Sequence, residues 1–277
     1  MGKFENILIF SDIDGTYLGN GRRTVPRNEE AVRYFQSEGG LFTFATGRME
    51  YTLLNAIPNL ADLVSFPPLI NNGTALYDYV NNVYEMPQPM ERDSVRPMLE
   101  FAEKYYPEVG IRGSIYGFYL YAVENPRIMR DMSSVPTHTK KLPYAEWENL
   151  DLYKIVFRAD PDTLIRMQKD LYETFGDQYE IILSEIEILE IQKRGVSKGS
   201  AINRVRERFR AEGNPKKIVC IGDYENDLEM LRAADFAACP SNAIDSVKAI
   251  SNVSLCHCSD GAVADLIAYL EAHPELL

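Results

Sequence analysis

The sequence predicts an α/β protein: an open, mostly parallel sheet with helices on both faces, interrupted by an inserted α+β domain. Three observations predict it. Short apolar runs alternate with amphipathic helices over the first third, the same rhythm returns in the last third, and the middle switches to helices followed by strand pairs. The resulting division is a core of residues 1–86 and 194–277, with a second domain over 87–193.

In the first third, Ile7-Leu8-Ile9-Phe10 is a compact buried-strand run. Pro26 opens a helix from Arg27 to Glu38 with Ala31, Tyr34 and Phe35 on one face, and Gly39-Gly40 stops it. Leu41 to Ala45 is the next strand, and a helix begins near Glu50. Pro67-Pro68 leads to Leu69-Ile70 and the turn Asn71-Asn72-Gly73, followed by a hairpin of Thr74–Tyr79 and Val83–Met86.

The middle reads as a helix over Glu91–Tyr106 and strands over Val109–Arg112 and Gly117–Ala122. A strand over Tyr153–Arg158 follows, then a helix over Pro161–Phe175 with Leu164, Met167, Leu171 and Phe175 along one stripe. Tyr179–Leu183 and Glu187–Ile191 pair after it. In the last third, Ser197–Ala211 is a helix with Ala201, Ile202, Val205 and Phe209 inward. Ile218–Ile221 is a buried strand, Asp227–Ala234 a short helix and Phe236–Ala238 a further strand. Helices carry Ile244, Val247 and Ile250, and then Val263, Leu266, Ile267 and Leu270.

Composition narrows the function. With 277 residues, 45% of them hydrophobic, there is material for a large domain and a smaller one. The net charge of −12 disfavours a nucleic-acid partner, which needs a basic face. An acidic protein that handles phosphates needs a divalent cation and a buried Lys or Arg at the site itself. Cys256-His257-Cys258 lacks a second pair at zinc spacing, so the four cysteines read as reduced, on or near strands. A strand begins at Ile7 with no signal peptide before it, and no apolar stretch reaches membrane-span length. A soluble cytoplasmic protein without a membrane partner is the expectation.

Four motifs stand where strands end, where open sheets of this kind place their ligands. The first is Asp12-Ile13-Asp14-Gly15-Thr16. Alternation in an extended segment points Asp12 and Asp14 the same way, and two carboxylates so close need a cation between them or a shared proton. Either outcome suits phosphoryl transfer, with Asp12 attacking phosphorus and Asp14 as acid and base. An isolated Asp-x-Asp is common on solvated surfaces; behind a buried strand and before Gly-Thr it is far more specific.

The second motif is Ala45-Thr46-Gly47-Arg48, whose hydroxyl and glycine amide suit phosphate oxygens, although Thr46 alone could be a helix cap. The third is Lys198 at a helix start, where its charge opposes the macrodipole unless it faces a phosphate. The fourth is Gly222-Asp223-Tyr224-Glu225-Asn226-Asp227. Asp223 is a natural third anchor for a hard cation, Asn226 offers an amide, and Asp227 is placed to orient Lys198 or a metal-bound water.

In this order and at these strand ends, the motifs resemble the haloacid dehalogenase superfamily of aspartyl-phosphate hydrolases, whose core is Rossmann-like. The insertion between Arg48 and Lys198 is similar to the cap of its Cof-type phosphatase branch. Asn72-Gly73, Gly195-Val196-Ser197-Lys198-Gly199, Ser241-Asn242-Ala243 and Asp260-Gly261-Ala262 support that branch. The resemblance spans essentially the whole chain and is weaker through the cap. Thr74 departs from the usual Ala and Ser241 from the commoner Gly.

The resemblance implies a magnesium-dependent phosphatase acting on a small phosphorylated metabolite, a sugar phosphate or a nucleotide or cofactor phosphate. It implies Asp12 as nucleophile and metal ligand, Asp14 as acid/base with its carbonyl on the metal, and Asp223 as the third ligand. Thr46, Gly47, Lys198, Asn226 and the Ile13 amide would hold the phosphoryl group. Caps of this branch choose the leaving group, so Arg48, Asn72, Arg112 and Tyr119 are candidates for substrate contact, with Tyr116 and Tyr121 beside them. Strand tyrosines are more often simply packed. The rival readings are a sugar phosphomutase of the same superfamily, a receiver domain that stores phosphate on an aspartate, and a binding protein without turnover. Receivers lack an insertion of this size, and every catalytic position is filled here.

Overall fold

The computed structural model describes residues 2–276. The chain forms two compact units. One comprises Met1–Gly47, Leu54–Glu85 and Ser197–Leu277; the other comprises Arg48–Leu53 and Met86–Val196.

The first unit is built on a five-stranded sheet in the order Val253–Leu255, Phe236–Pro240, Lys217–Ile221, Ile7–Ser11, Leu41–Phe44. Every pairing is parallel. Parallel sheets are covered on both faces, which is why Leu8–Phe10 and Ile218–Ile221 are continuous apolar runs with no exposed side chain. A single parallel bridge from Ala45 to Leu69 joins the sheet edge to the antiparallel strands Leu69–Ile70, Ala75–Asp78 and Val83–Glu85.

From Ile7–Ser11 the chain crosses through helix Pro26–Ser37 to Leu41–Phe44. From Lys217–Ile221 it crosses through helix Leu228–Ala233 to Phe236–Pro240, in the opposite direction along the sheet. Crossovers of parallel strands are right-handed, so these helices fall on opposite faces. The direction reverses between Ile7–Ser11 and Lys217–Ile221, and their carboxyl ends open the crevice where α/β sheets bind ligands. Helix Lys198–Ala211 packs on Leu228–Ala233 and starts at a capping box, in which Ser197 and Ser200 accept each other's backbone N–H. Helix Ala262–Ala272 packs on Pro26–Ser37.

The second unit carries a six-stranded sheet in the order Tyr179–Glu185, Ile188–Lys193, Lys154–Arg158, Gly110–Ile115, Phe118–Tyr121, Thr139–Lys141. All its pairings are antiparallel except the last. Helices Arg92–Tyr105 and Pro161–Phe175 build one core with it through Met98, Leu99, Leu164, Met167 and Leu171 around Ile155 and Phe157, beside the buried Trp147.

Several short elements go beyond the sequence expectation, the helices Leu60–Leu63 and Tyr144–Trp147 among them. Thr139–Lys141 is a polar edge strand without apolar alternation, Val253–Leu255 is a three-residue edge strand, and helix Pro126–Ser133 is little more than two turns. The helix does carry a start signal: the Asn125 side chain accepts from the Arg127 N–H, and Pro126 stands at its first position. Among the described residues no helix is long and apolar enough to cross a membrane.

Candidate active site

The site begins where Ile7–Ser11 runs out. Asp12 stays in line with the sheet because its N–H donates to the Ile221 carbonyl at 2.9 Å, and the Ser11 hydroxyl donates to the Asp12 carbonyl at 2.7 Å. The chain then turns at Gly15, whose φ of +84° is left-handed. Space requires glycine as well, since a Cβ there would stand 2.5 Å from Asp223 Oδ2. That close approach brings the loop after the Lys217–Ile221 strand against the loop after Ile7–Ser11.

Thr16 fastens the two loops, its Oγ1 donating to Asp223 Oδ1 at 2.7 Å. Asn242 adds a second tie, donating from Nδ2 to the Gly15 carbonyl at 2.8 Å and accepting the Cys258 N–H at 2.9 Å. Neither Thr16 nor Asn242 received a role from the sequence. The signal was present, because Thr16 closes the first motif and Asn242 lies in a secondary one. Cys258, like the other three cysteines, is a free thiol.

Lys198, the first residue of its helix, has no solvent exposure. Its ammonium donates to Asp12 Oδ1 at 2.7 Å and to Asp227 Oδ1 at 2.6 Å. Burial alone would pull the ammonium toward its neutral form, but the two carboxylates more than offset this and raise its pKa. The other oxygen of Asp227 accepts the N–H groups of Asp223 at 2.9 Å and Tyr224 at 3.2 Å. Both Asp227 oxygens are therefore committed to holding Lys198 and the loop that presents Asp223. Gly222 permits this, because a Cβ there would meet the Asp227 carboxylate at 2.5 Å.

Asp12, Asp223 and Asp227 each place a carboxylate oxygen within 4.8 Å of the others. With Lys198, these four side chains would carry a formal charge of −2 with every group ionised. Burial raises the Asp12 carboxyl well above its usual range, Lys198 opposes the rise, and Asp227 and Asp223 add to it. Burial and Asp227 push Asp223 up to about 6, against the Thr16 hydrogen bond and Lys198. Clustered carboxylates under-neutralised in this way fit a hard divalent cation.

Asp223 thus opposes folding at neutral pH in the absence of metal. Its folded pKa of about 6 exceeds the ordinary 3.8, so its cost is absent below about pH 4, grows from there to pH 6 and is complete above. Asp223→Asn in the presence of chelator is expected to stabilise the protein by about 1–2 kcal/mol at pH 7.5 and to give no gain at pH 4. Thermal melts at the two pH values check this; an unchanged or lowered Tm at pH 7.5 contradicts it.

Asp14 lies in a different environment from Asp12. Its side chain is 40% exposed and pairs with Arg22 at 3.2 Å, whereas Asp12 is 7% exposed as a residue. Thr46 is buried, with its N–H on the Leu69 carbonyl and its own carbonyl accepting the Asn72 N–H, both at 2.9 Å. Asn226 Nδ2 donates to Asn72 Oδ1 at 3.2 Å, and a Cβ on Gly47 would stand 3.0 Å from that oxygen. Thr46, Gly47, Asn72 and Asn226 therefore meet. The Ile13 carbonyl accepts from the Leu18 N–H at 2.9 Å, which shapes the loop whose amide was assigned to phosphate.

The remaining candidates belong to the second unit. Arg48 donates to the Thr52 carbonyl at 3.2 Å. The Arg112 guanidinium lies 4.0 Å from the Tyr119 ring centre and 3.5 Å from Asp131, which also takes the Arg158 Nε–H at 2.7 Å. Glu50, buried, accepts the Gly117 N–H at 3.0 Å, a tie that its place at a helix start did not reveal.

Comparison with known proteins follows the same lines. The profile of the haloacid dehalogenase-like hydrolases matches residues 9–267. The 5-amino-6-(5-phospho-D-ribitylamino)uracil phosphatase YbjI of Escherichia coli is 25% identical over 87% of this chain and 88% of its own. The pyridoxal phosphate phosphatase YbhA of the same organism is 26% identical over 94% of this chain and 97% of its own. The crystal structure of TM0651 from Thermotoga maritima superposes with a TM-score of 0.81 at 23% identity, covering 96% of this chain and 97% of that one, a likeness of fold. The chain belongs to the haloacid dehalogenase-like hydrolases, in their Cof-type branch, and is an enzyme that hydrolyses phosphoric monoesters.

Proposed function

We propose that this enzyme hydrolyses a small phosphorylated metabolite through a phosphoryl group carried transiently on Asp12. The observation that carries the reading is the Lys198 ammonium held between Asp12 and Asp227, with Asp223 beside them. That arrangement holds Asp12 in place, and Lys198 opposes the protonation that burial of Asp12 favours.

In the first half-reaction an Asp12 carboxylate oxygen bonds to phosphorus as the ester P–O bond breaks. Asp14 gives its proton to the departing alkoxide. In the second, Asp14 takes a proton from water, the water oxygen bonds to phosphorus, and the Asp12–phosphorus linkage breaks to release inorganic phosphate. Partial exposure suits Asp14 to proton exchange. Its pair with the largely exposed Arg22 is worth under about 1 kcal/mol and does not lock it. Lys198, Thr46, Gly47, Asn226 and the Ile13 amide hold the phosphoryl oxygens.

Asp12 and Asp223, with the Asp14 carbonyl, would hold magnesium. When bound, the ion supplies positive charge to the phosphoryl oxygens and neutralises the excess on the cluster. Asp227 serves Lys198 instead, because both its oxygens are already taken. Chelation is expected to silence the enzyme and magnesium to restore it. Magnesium should also raise Tm of wild type more than that of Asp223→Asn. Metal-independent turnover would remove the cation from the reading.

The named substrates of YbjI and YbhA each carry a phosphate on a heterocycle-bearing metabolite. Cofactor-like phosphates therefore lead the substrate panel, with sugar phosphates and nucleotides beside them. Released phosphate scores the panel; a phosphosugar returned as its isomer, without free phosphate, would favour a mutase.

A further inference from the structure

We infer that Asn72 is a positioning residue that fixes the Asn226 amide against the Thr46–Gly47 turn and thereby sets the affinity of the site for a phosphoryl group. The inference rests on the reading of Thr46, Gly47 and Asn226 as phosphoryl-binding residues.

Asn71, Asn72 and Gly73 have φ of 48°, 55° and 89°, three successive residues in the left-handed region. Asn is the side chain that tolerates this backbone best after glycine, so glycine would fit position 72 at less strain. What glycine lacks is the amide. Asn72 is 3% exposed, and its Oδ1 accepts from Asn226 Nδ2, linking segments 154 residues apart in sequence. An amide that donates one N–H to a fixed acceptor has the direction of its other N–H and of its oxygen fixed too.

The turn that carries Asn72 is itself held from two sides. The Asn72 N–H donates to the Thr46 carbonyl at 2.9 Å, and Arg204 donates to the Gly73 carbonyl at 2.6 Å. Arg204 lies on the helix that begins with Lys198. Asn72 thus stands between the Thr46 loop and the helix of Lys198, with its amide oxygen on Asn226. Gly47 leaves room for that oxygen, since a Cβ there would be 3.0 Å from it.

The test is a double-mutant cycle on Asn72→Gly and Asn226→Ala, with magnesium present. It reads the Ki of inorganic phosphate and the KM and kcat for p-nitrophenyl phosphate. Asn72→Gly keeps the left-handed backbone, so thermal melts should match wild type. Each single variant is expected to raise Ki and KM about tenfold, with a smaller change in kcat. The double variant should lie within about twofold of the worse single, because the second substitution removes an interaction already lost. A wild-type Ki for Asn72→Gly, or losses that multiply to about a hundredfold, would overturn the inference while leaving Asn226 as a phosphoryl ligand. A wild-type Ki for Asn226→Ala would overturn both.

Discussion

Asp12→Asn is expected to lower turnover of p-nitrophenyl phosphate by about 10⁴-fold or more while leaving the fold intact. An amide oxygen is a poor nucleophile toward phosphorus, so the substitution removes the proposed attacking group and changes little else. Asparagine matches aspartate in shape, and its oxygen can still accept from Lys198, which sits 2.7 Å from Asp12 Oδ1. Stability should hold or rise. Burial and the neighbouring Asp227 and Asp223 raise the Asp12 pKa, so its negative charge opposes folding at neutral pH in the metal-free protein. The variant removes one of the excess charges in the cluster. Steady-state kinetics beside a thermal melt check the prediction. A folded variant keeping more than about 1% of wild-type kcat would exclude Asp12 as the nucleophile.

The parts of this site legible in the sequence are those carried by contiguous residues next to a buried strand. Asp12-Ile13-Asp14-Gly15-Thr16 and Gly222-Asp223 could be placed because the apolar runs before them, Ile7–Phe10 and Ile218–Ile221, have one physical reading: central strands of a parallel sheet. Lys198 was harder, since a lysine at a helix start looks unfavourable until the two carboxylates around it are known. What alternation could not give was environment. Asp12 and Asp14 were expected to share a direction, yet one is buried against Lys198 and the other is open to Arg22. In the proposed mechanism that difference separates the nucleophile from the proton carrier.

Tertiary ties were equally out of reach. Thr16 on Asp223, Asn242 on the Gly15 carbonyl and Asn72 on Asn226 join segments at least 154 residues apart. No local pattern encodes such distances. In the second unit the large helices and paired strands followed from periodicity, but Arg112 takes its meaning from Asp131. That residue sits on helix Pro126–Ser133, too short to show a stripe.

Replacing Lys198 by methionine is expected to have the largest effect on stability of any single change at the site. Methionine fills much of the same volume without the charge, so packing is nearly kept and electrostatics are isolated. The variant leaves Asp12 and Asp227, both buried, facing each other without a cation. Breaking a buried pair in this way costs about 3–5 kcal/mol. The cost has a pH signature. Without Lys198, the carboxylates relieve their repulsion by binding a proton in the folded state that the unfolded chain does not hold at pH 7. Stability of the variant must then fall as pH rises through neutrality. Lys198 in wild type has a raised pKa, so its contribution is complete across that range and fades only in alkali. Denaturation of both proteins in chelator at pH 5.5 and pH 8 separates the cases: the deficit should be larger at pH 8. An equal deficit at both values would mean that lost packing, not uncompensated charge, is responsible. Turnover should drop by about 10²–10³-fold in addition, the usual consequence of removing a fixed positive group from a site where negative charge develops. Lys198→Arg should not restore it, because a wholly buried ammonium held 2.7 and 2.6 Å from two carboxylates leaves no room for a planar guanidinium.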